Sequence, residues 1–327
     1  MLKDHYIFST GRLQRKDNTL YFVDAEGKKK SLPIEQIENL HIFGQVDVNS
    51  ALLNLLAQYG VCLHFYNYHD YYVGTFYPRE KNVSGYTVVQ QSVHYLNRQK
   101  RLYLARSFLY GGIHHMLRNL RRHKEKTEEI IRAIEKEAAK LEDTAKIPEL
   151  MGIEGRIRQE YYQAFNVMLK PEFAFEKRTK RPPTDPLNAL ISFGNSRMYT
   201  EILSEMYKTM LDPTISFLHE PSSKRFSLSL DLAEIFKPLL VDTLIASLVN
   251  NRVITLKHFD EMEGIVFLNE EGRKKFLAEW EKKLETTVQH RTLKRKVSYR
   301  YFIRLECYKL IKHFIGDTLY KPLKAWW

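Results

Sequence analysis

The chain has 327 residues, 44% hydrophobic and 28% charged, which is enough apolar material for a buried core in each of two globular domains and too much for a disordered protein. Lys and Arg number 51 against 39 Asp and Glu, a net charge of +12, so the long-range field favours polyanions, nucleic acid first among them. No apolar run reaches spanning length, and MLKDHYIF lacks the apolar centre of a signal peptide, which predicts a soluble cytoplasmic protein with no membrane partner.

From Tyr6 to about Tyr77, short apolar runs (IFST, TLYFV, NLHIF, VCLHFY, YYVGTFY) are separated by turn signals, with Asp24-Ala25-Glu26-Gly27 as a hairpin turn. One helix interrupts them: Asn49 or Ser50 caps ALLNLLAQY and Gly60 ends it. Residues 1–85 therefore read as a small β domain with no evident acid, base or nucleophile cluster, a scaffold or dimerisation surface. The polar stretch REKNVSGYTVVQQ marks the boundary, and residues 86–327 read as a larger all-α domain, giving an α+β chain. Cys62 and Cys307 sit inside apolar patterns, as buried thiols rather than a disulfide or zinc ligands.

Between Arg98 and Lys126 there are nine Lys or Arg and one acid, Glu125, with Tyr95, Tyr103, Phe108 and Tyr110 interleaved. Such a mixture suits a phosphate backbone and base stacking, or a solvated helix whose aromatics face the core. Residues 124–142 alternate charge at helical spacing, the mark of an exposed helix laced with ion pairs. The last third reads as helical, with a second basic cluster at Arg291, Lys294, Arg295, Lys296 and Arg300, and with Trp326 and Trp327 packing on a neighbouring helix.

Residues 217–238, FLHEPSSKRFSLSLDLAEIFKP, concentrate the chemistry. Asp231 and Glu234 share a helical face, and two like charges held together call for a cation. Lys224 or Arg225 is one candidate; a divalent metal, with His219 supplying an imidazole, is the other. A second stretch, MGIEGRIRQEYYQAF at 151–165, reads as a helix beginning at Gly152 with Glu154 in its first turn between two glycines. Complementarity to the helix dipole and an i,i+4 pair with Arg158 explain Glu154 in the ordinary way. As a metal ligand it would instead stand near Arg156 or Arg158 as phosphate contacts.

The blocks GIEGRIRQEYYQAF, PPTDPLNALISFGNSRMYTEI and FLHEPSSKRFSLSLDLAEIFKPLLVD, in this order and spacing, resemble the CRISPR-associated integrase of spacer acquisition, the Cas-one family. GKKKSLPIEQIENLHIFGQVDVNSALLNLLAQYGVCLHFYN likewise resembles that family's β domain, so the likeness spans nearly the whole chain. The resemblance implies one divalent metal bound by Glu154, His219 and Glu234, the last position being Asp in some members and Glu in others. Asp231 matches a further acidic position, as an alternative ligand or a partner behind the ligands. Lys237 stands where many members have Arg, which keeps the charge and loses the bidentate fork. Asn188 fits the pattern as a buried structural amide.

The resemblance further implies a DNA endonuclease and integrase that joins a DNA fragment to a CRISPR array by attack of a 3′-hydroxyl on a phosphodiester. It also implies homodimers arranged around a Cas-two family dimer. Carboxylates suit Mg²⁺ and the imidazole tilts preference toward Mn²⁺. Lys224 and Arg225 become candidates for gripping the scissile phosphate. Two other readings fit the same sequence: a metal-dependent nuclease of branched DNA that does not integrate, and a nucleic-acid-binding protein without catalysis.

Overall fold

A computed structural model of the chain describes residues 2–17, 19–67, 71–78, 82–180, 182–223 and 225–327. It divides into two compact units, Met1–Val83 and Ser84–Trp327. The first holds β1 (Lys3–Ile7), β2 (Gly11–Lys16), β3 (Thr19–Asp24), β4 (Lys29–Pro33), β5 (Ile37–Ile42), β6 (Val46–Asp47), α1 (Ser50–Tyr59), β7 (Cys62–Tyr66) and β8 (Tyr72–Phe76). These form two four-stranded sheets, ordered β1-β5-β7-β8 and β4-β3-β2-β6. Strand β5 pairs in parallel with both β1 and β7. Parallel neighbours need a crossover, and α1 lies in the one between β5 and β7.

The Asn49 side chain caps α1 by accepting from the Leu52 N–H, so the cap is Asn49 rather than Ser50. Leu52, Leu55 and Leu56, at helical spacing, join Leu13, Leu20, Leu40 and Leu63 in one buried core. The Asp24–Gly27 turn forms as expected, with Gly27 N–H donating to Asp24 O at 3.0 Å and Gly27 at φ +81°. Although no acid-base cluster is evident in this unit's sequence, the fold brings one together: Asn39 Nδ2 donates to Asp4 at 2.9 Å, and His41 Nδ1 lies 3.0 Å from Tyr66 Oη.

The second unit contains α2 (Gly85–Leu96), α3 (Arg98–Arg121), α4 (Lys124–Ala139), α5 (Ile147–Gln163), α6 (Phe165–Met168), α7 (Pro186–Tyr207), α8 (Ser227–Phe236), α9 (Thr243–Asn250), α10 (Glu270–Glu285) and α11 (Tyr299–Phe314). Among the described residues its regular structure is helical apart from two two-stranded ribbons, β9 (Phe259–Met262) with β10 (Ile265–Leu268) and β11 (Thr287–Gln289) with β12 (Lys296–Ser298). Both cysteines are free and buried, as the sequence predicts. Trp327 packs on Phe302 of α11 and donates its indole N–H to Tyr299 Oη at 2.7 Å. Among the described residues no helix is long and apolar enough to cross a membrane.

Helix α8 is buried along nearly its whole length, and α3 makes room for it. A Cβ on Gly112 would stand 2.6 Å from the Glu234 carbonyl oxygen, so only glycine permits this approach. After Phe236 the chain widens into a π-helical turn, Lys237–Asp242, at Pro238, whose missing N–H interrupts the α-helical ladder. Two polar side chains of α3 satisfy carbonyls there: His115 Nδ1 donates to Ile235 O at 2.9 Å, and Asn119 Nδ2 to Pro238 O at 2.7 Å.

Candidate active site

The loop before α8 folds around a carboxylate. Asp231 is fully buried and accepts the backbone N–H groups of Phe217, Leu218 and His219 at 2.6, 3.0 and 2.9 Å. Its Oδ1 also lies 2.8 Å from His219 Nδ1. A carboxylate only accepts, so Nδ1 carries the proton and the ring presents Nε2 outward. Arg101 of α3 closes the loop from outside, donating Nε to Phe217 O at 2.9 Å and Nη2 to Glu220 at 2.6 Å. Tyr95 Oη donates to the other oxygen of Glu220 at 2.9 Å.

The second half of the site is built from ion pairs. Glu154 lies inside α5, which begins at Ile147 with Pro148 in its first turn, five residues earlier than the sequence reading placed it. Proline is well suited to a helix's first turn, and the earlier start removes the helix-dipole explanation for Glu154. Arg158, one turn on, donates Nε to Glu154 at 2.6 Å and Nη2 to Glu234 of α8, 76 residues away in sequence. Lys237 Nζ donates to the other Glu234 oxygen at 2.8 Å. Burial alone would raise the Glu234 carboxyl, but Arg158 and Lys237 hold it well below the usual carboxylate range, with His219 adding to the pull.

Asp242, at the end of the π-turn, is also buried, and neither of its oxygens has a partner of normal hydrogen-bond geometry among the described residues. The Tyr161 hydroxyl interacts with it from outside that geometry, and burial pushes the carboxyl up to about 7 against the pull of Arg158. Arg158 Nη1 is buried without a partner as well.

Two carboxylates and an imidazole form a suitable donor set for a divalent cation. Glu154 and His219 keep 17% and 18% of their side chains exposed, so the set opens to solvent, while Glu234 lies behind. Among the described residues, however, no three His, Cys, Asp or Glu side chains stand close enough to hold an ion. The expected set of Glu154, His219 and Glu234 is thus not closed around a common point: the Arg158 guanidinium separates the two carboxylates. The donors fit the ion in chemistry, with an arginine between them.

Among the described residues the cations paired with Glu234 are Arg158 and Lys237, and Arg225, considered from sequence, is not one of them. Lys224 lies outside the described residues, and Arg225 is exposed. Arg156 is exposed too and donates to Glu137 of α4 at 2.8 Å, away from the carboxylate pair. Asn188 is fully buried and ties Lys177 O and Thr179 N to the start of α7, as expected of a structural amide. Arg101 and Asp242 went unrecognised in the sequence. Arg101 stood among the nine basic residues of 98–126, where nothing local sets it apart from its neighbours.

That first basic stretch is divided by the fold: Phe108 is buried, and Arg98 and Arg106 bond the carbonyls of Ala145 and Thr144. The second cluster lies on the β11–β12 ribbon rather than a helix, with Arg291, Lys294, Arg295 and Lys296 exposed. Arg300 is not part of it, being drawn into pairs with Glu201 and Glu281 at 2.9 and 2.8 Å.

Comparison with known proteins places these features in context. The family model described as CRISPR associated protein Cas1 matches residues 5–282. A CRISPR-associated endonuclease Cas1 of Clostridium perfringens is 58% identical over all of this chain and all of its own length. Among solved structures, a Cas1 protein from Thermotoga maritima is 42% identical, covers 98% of this chain and 100% of its own, and superposes with a TM-score of 0.89. A casposase bound to integration product has the same fold, at a TM-score of 0.89, 20% identity and coverage of 99% and 94%.

Proposed function

The chain belongs to the CRISPR-associated Cas1 family, and from that premise we propose that it is a metal-dependent DNA endonuclease and integrase that inserts DNA fragments into a CRISPR array. The observation that carries this reading is the meeting of Glu154 and Glu234 at one guanidinium, beside an imidazole whose Nδ1 is committed to Asp231. Glu154, Glu234 and His219 Nε2 would hold a divalent cation, Mg²⁺ or Mn²⁺. Bound there, such an ion supplies positive charge that offsets the phosphodiester oxygens and eases ionisation of the attacking hydroxyl.

The residues divide the remaining work. Asp231 holds the His219 ring in one orientation and one tautomer. Lys237 neutralises the inner oxygen of Glu234, so the buried carboxylate stays ionised. Arg101, through Phe217 O and Glu220, keeps the His219 loop on α3. In the joining step the 3′-hydroxyl oxygen of the fragment forms a new bond to phosphorus and the array's P–O3′ bond breaks. The proton leaves the attacking hydroxyl, and one ends on the departing 3′-oxygen. One phosphodiester is exchanged for another, so no nucleotide cofactor is required.

The same residues serve hydrolysis when water replaces the hydroxyl, the reading favoured by the name endonuclease carried by the C. perfringens relative. In both readings the protein is cytoplasmic, acts as a homodimer through its β unit, and works with a Cas2 dimer. The exposed Arg291, Lys294, Arg295 and Lys296 contact DNA phosphates, so neutralising all four lowers the salt dependence of DNA binding by about 0.9 in slope per lost contact. The deciding experiment incubates the protein and its Cas2 partner with a supercoiled array plasmid and a labelled fragment. Joined product lost in Glu154→Ala and His219→Ala, with fold and DNA affinity retained, supports integration. Cutting without joining leaves the nuclease, and joining that survives both substitutions overturns the site.

A further inference from the structure

The buried centre contains two complementary defects. Arg158 uses Nε and Nη2 to bridge Glu154 and Glu234, and its Nη1 has no hydrogen-bond partner among the described residues. Asp242 has two buried oxygens without a donor of normal geometry, and it is electrostatically coupled to that same arginine. An unsatisfied buried polar group is costly, and native folds keep few of them without a reason. Neither defect is required by the bridge itself: a cation with a spare donor sits near an acid with spare acceptors, and the two are left unjoined.

Resting on the metal reading above, we propose that Arg158 is the site's resident counter-cation and that Asp242 is the position to which its guanidinium moves when a divalent ion enters. Glu154 and Glu234 repel one another unless a cation lies between them. In the form described here the guanidinium fills that role, which explains why no three metal-ligating side chains converge among the described residues. An ion and a guanidinium cannot occupy the same space between two carboxylates, so ion entry is an exchange. A displaced buried charge needs a new partner. Asp242 offers one within the same cluster, fixed by the π-turn directly after the α8 ligand.

The idea makes metal affinity depend on residues that never touch the metal. Binding of Mn²⁺ alone to the full chain, followed by the loss of the free-ion electron paramagnetic resonance signal and by thermal melts with and without Mn²⁺, reads this out without catalysis. Glu234→Gln serves as the site control. Arg158→Gln should bind Mn²⁺ on the order of tenfold more tightly than the native chain, melt lower without Mn²⁺, and gain more from it. Asp242→Asn should bind on the order of tenfold more weakly, and that loss should vanish in the Arg158→Gln background.

Arg158→Lys keeps the charge but loses the guanidinium's planar fork and some of its reach, and it should tighten binding to a lesser degree; it replaces Arg158→Gln if the latter fails to fold. Equal or weaker Mn²⁺ binding in the Arg158 variants overturns the exchange. An Asp242→Asn effect of the same size in both backgrounds overturns Asp242 as the receiving group. If the native chain shows no Mn²⁺ binding that Glu234→Gln abolishes, the metal reading itself falls, an outcome distinct from the other two.

Discussion

The loop that carries His219 and the helix pair that carries Glu154 and Glu234 meet at one site but are held by different forces. Around His219, one carboxylate is saturated by three backbone N–H groups and a ring nitrogen. These donors are fixed by the course of the chain. Around Glu154 and Glu234, the partners are side-chain cations on α5 and the π-turn, Arg158 and Lys237. Backbone donors cannot leave without unfolding the loop, whereas side-chain cations rotate and can be replaced by another cation. The first half is therefore built to stay in place, and the second is built to exchange what it holds.

Removing the Glu154 charge from the exchangeable half breaks function while sparing the fold. Glu154→Gln keeps the side chain's shape at a partly exposed position, so it should leave the melting temperature nearly unchanged while joining falls by about a thousandfold in a plasmid integration assay. A large loss of stability in this variant would place Glu154 in the rigid half instead.

Asp231 provides the opposite case. Asp231→Ala leaves three buried backbone N–H groups without an acceptor, and urea unfolding should report a loss of roughly 3–5 kcal/mol. Asp231→Asn keeps one acceptor oxygen and should lose less. If both variants unfold like the native chain, the backbone hydrogen bonds do not hold the loop.

Lys237 tests how far Arg158 can cover for a missing partner. Lys237→Met removes one of two cations from a buried carboxylate and should cost about 2 kcal/mol, with Lys237→Arg recovering most of it. Loss of as much stability as in Asp231→Ala would erase the distinction between the halves.

The smallest effect comes from acid. His115 donates Nδ1 to Ile235 O and accepts the Ala325 N–H at Nε2, at 3.0 Å, so a second proton would break a hydrogen bond behind α8. Burial pushes His115 down to about 3, and burial with nearby His94 and Lys100 pushes His313 down to about 4. In the unfolded chain both titrate near 6.5, so below that pH the unfolded state takes up more protons and stability falls, continuing until the folded-state values are reached. Asp242 works against this trend, because burial raises it in the fold and acidification below 7 favours the native state there. Melting temperatures between pH 8 and pH 4 should fall below about 6.5, and His115→Gln should flatten the profile. An unchanged profile in that variant would remove His115 from the account.

Much of this molecule is legible in its sequence. Short alternating runs and turn residues predict the first unit, a cap at Asn49 or Ser50 and a stop at Gly60 bound α1, and the motifs of the family single out Glu154, His219, Asp231 and Glu234. The misreadings arise where distant segments decide. The start of α5 lies before the motif that drew attention to it, and the basic cluster near the end folds as a ribbon from which Arg300 is withdrawn by acids on α7 and α10. Arg101 looks like any other basic residue of its helix until the Phe217 carbonyl is brought to it.

The order of residues along the chain was enough to determine the fold class, the family and the types of side chain available for chemistry, because backbone periodicity, capping and motif spacing act over a few neighbours. Which cation lies between the two carboxylates, which donors saturate Asp231 and why Asp242 meets none in normal hydrogen-bond geometry among the described residues were decided only by the tertiary structure. Those outcomes depend on helices far apart in sequence packing into a dry interior, where an ion pair or an unmet hydrogen bond carries far more weight than it would in water.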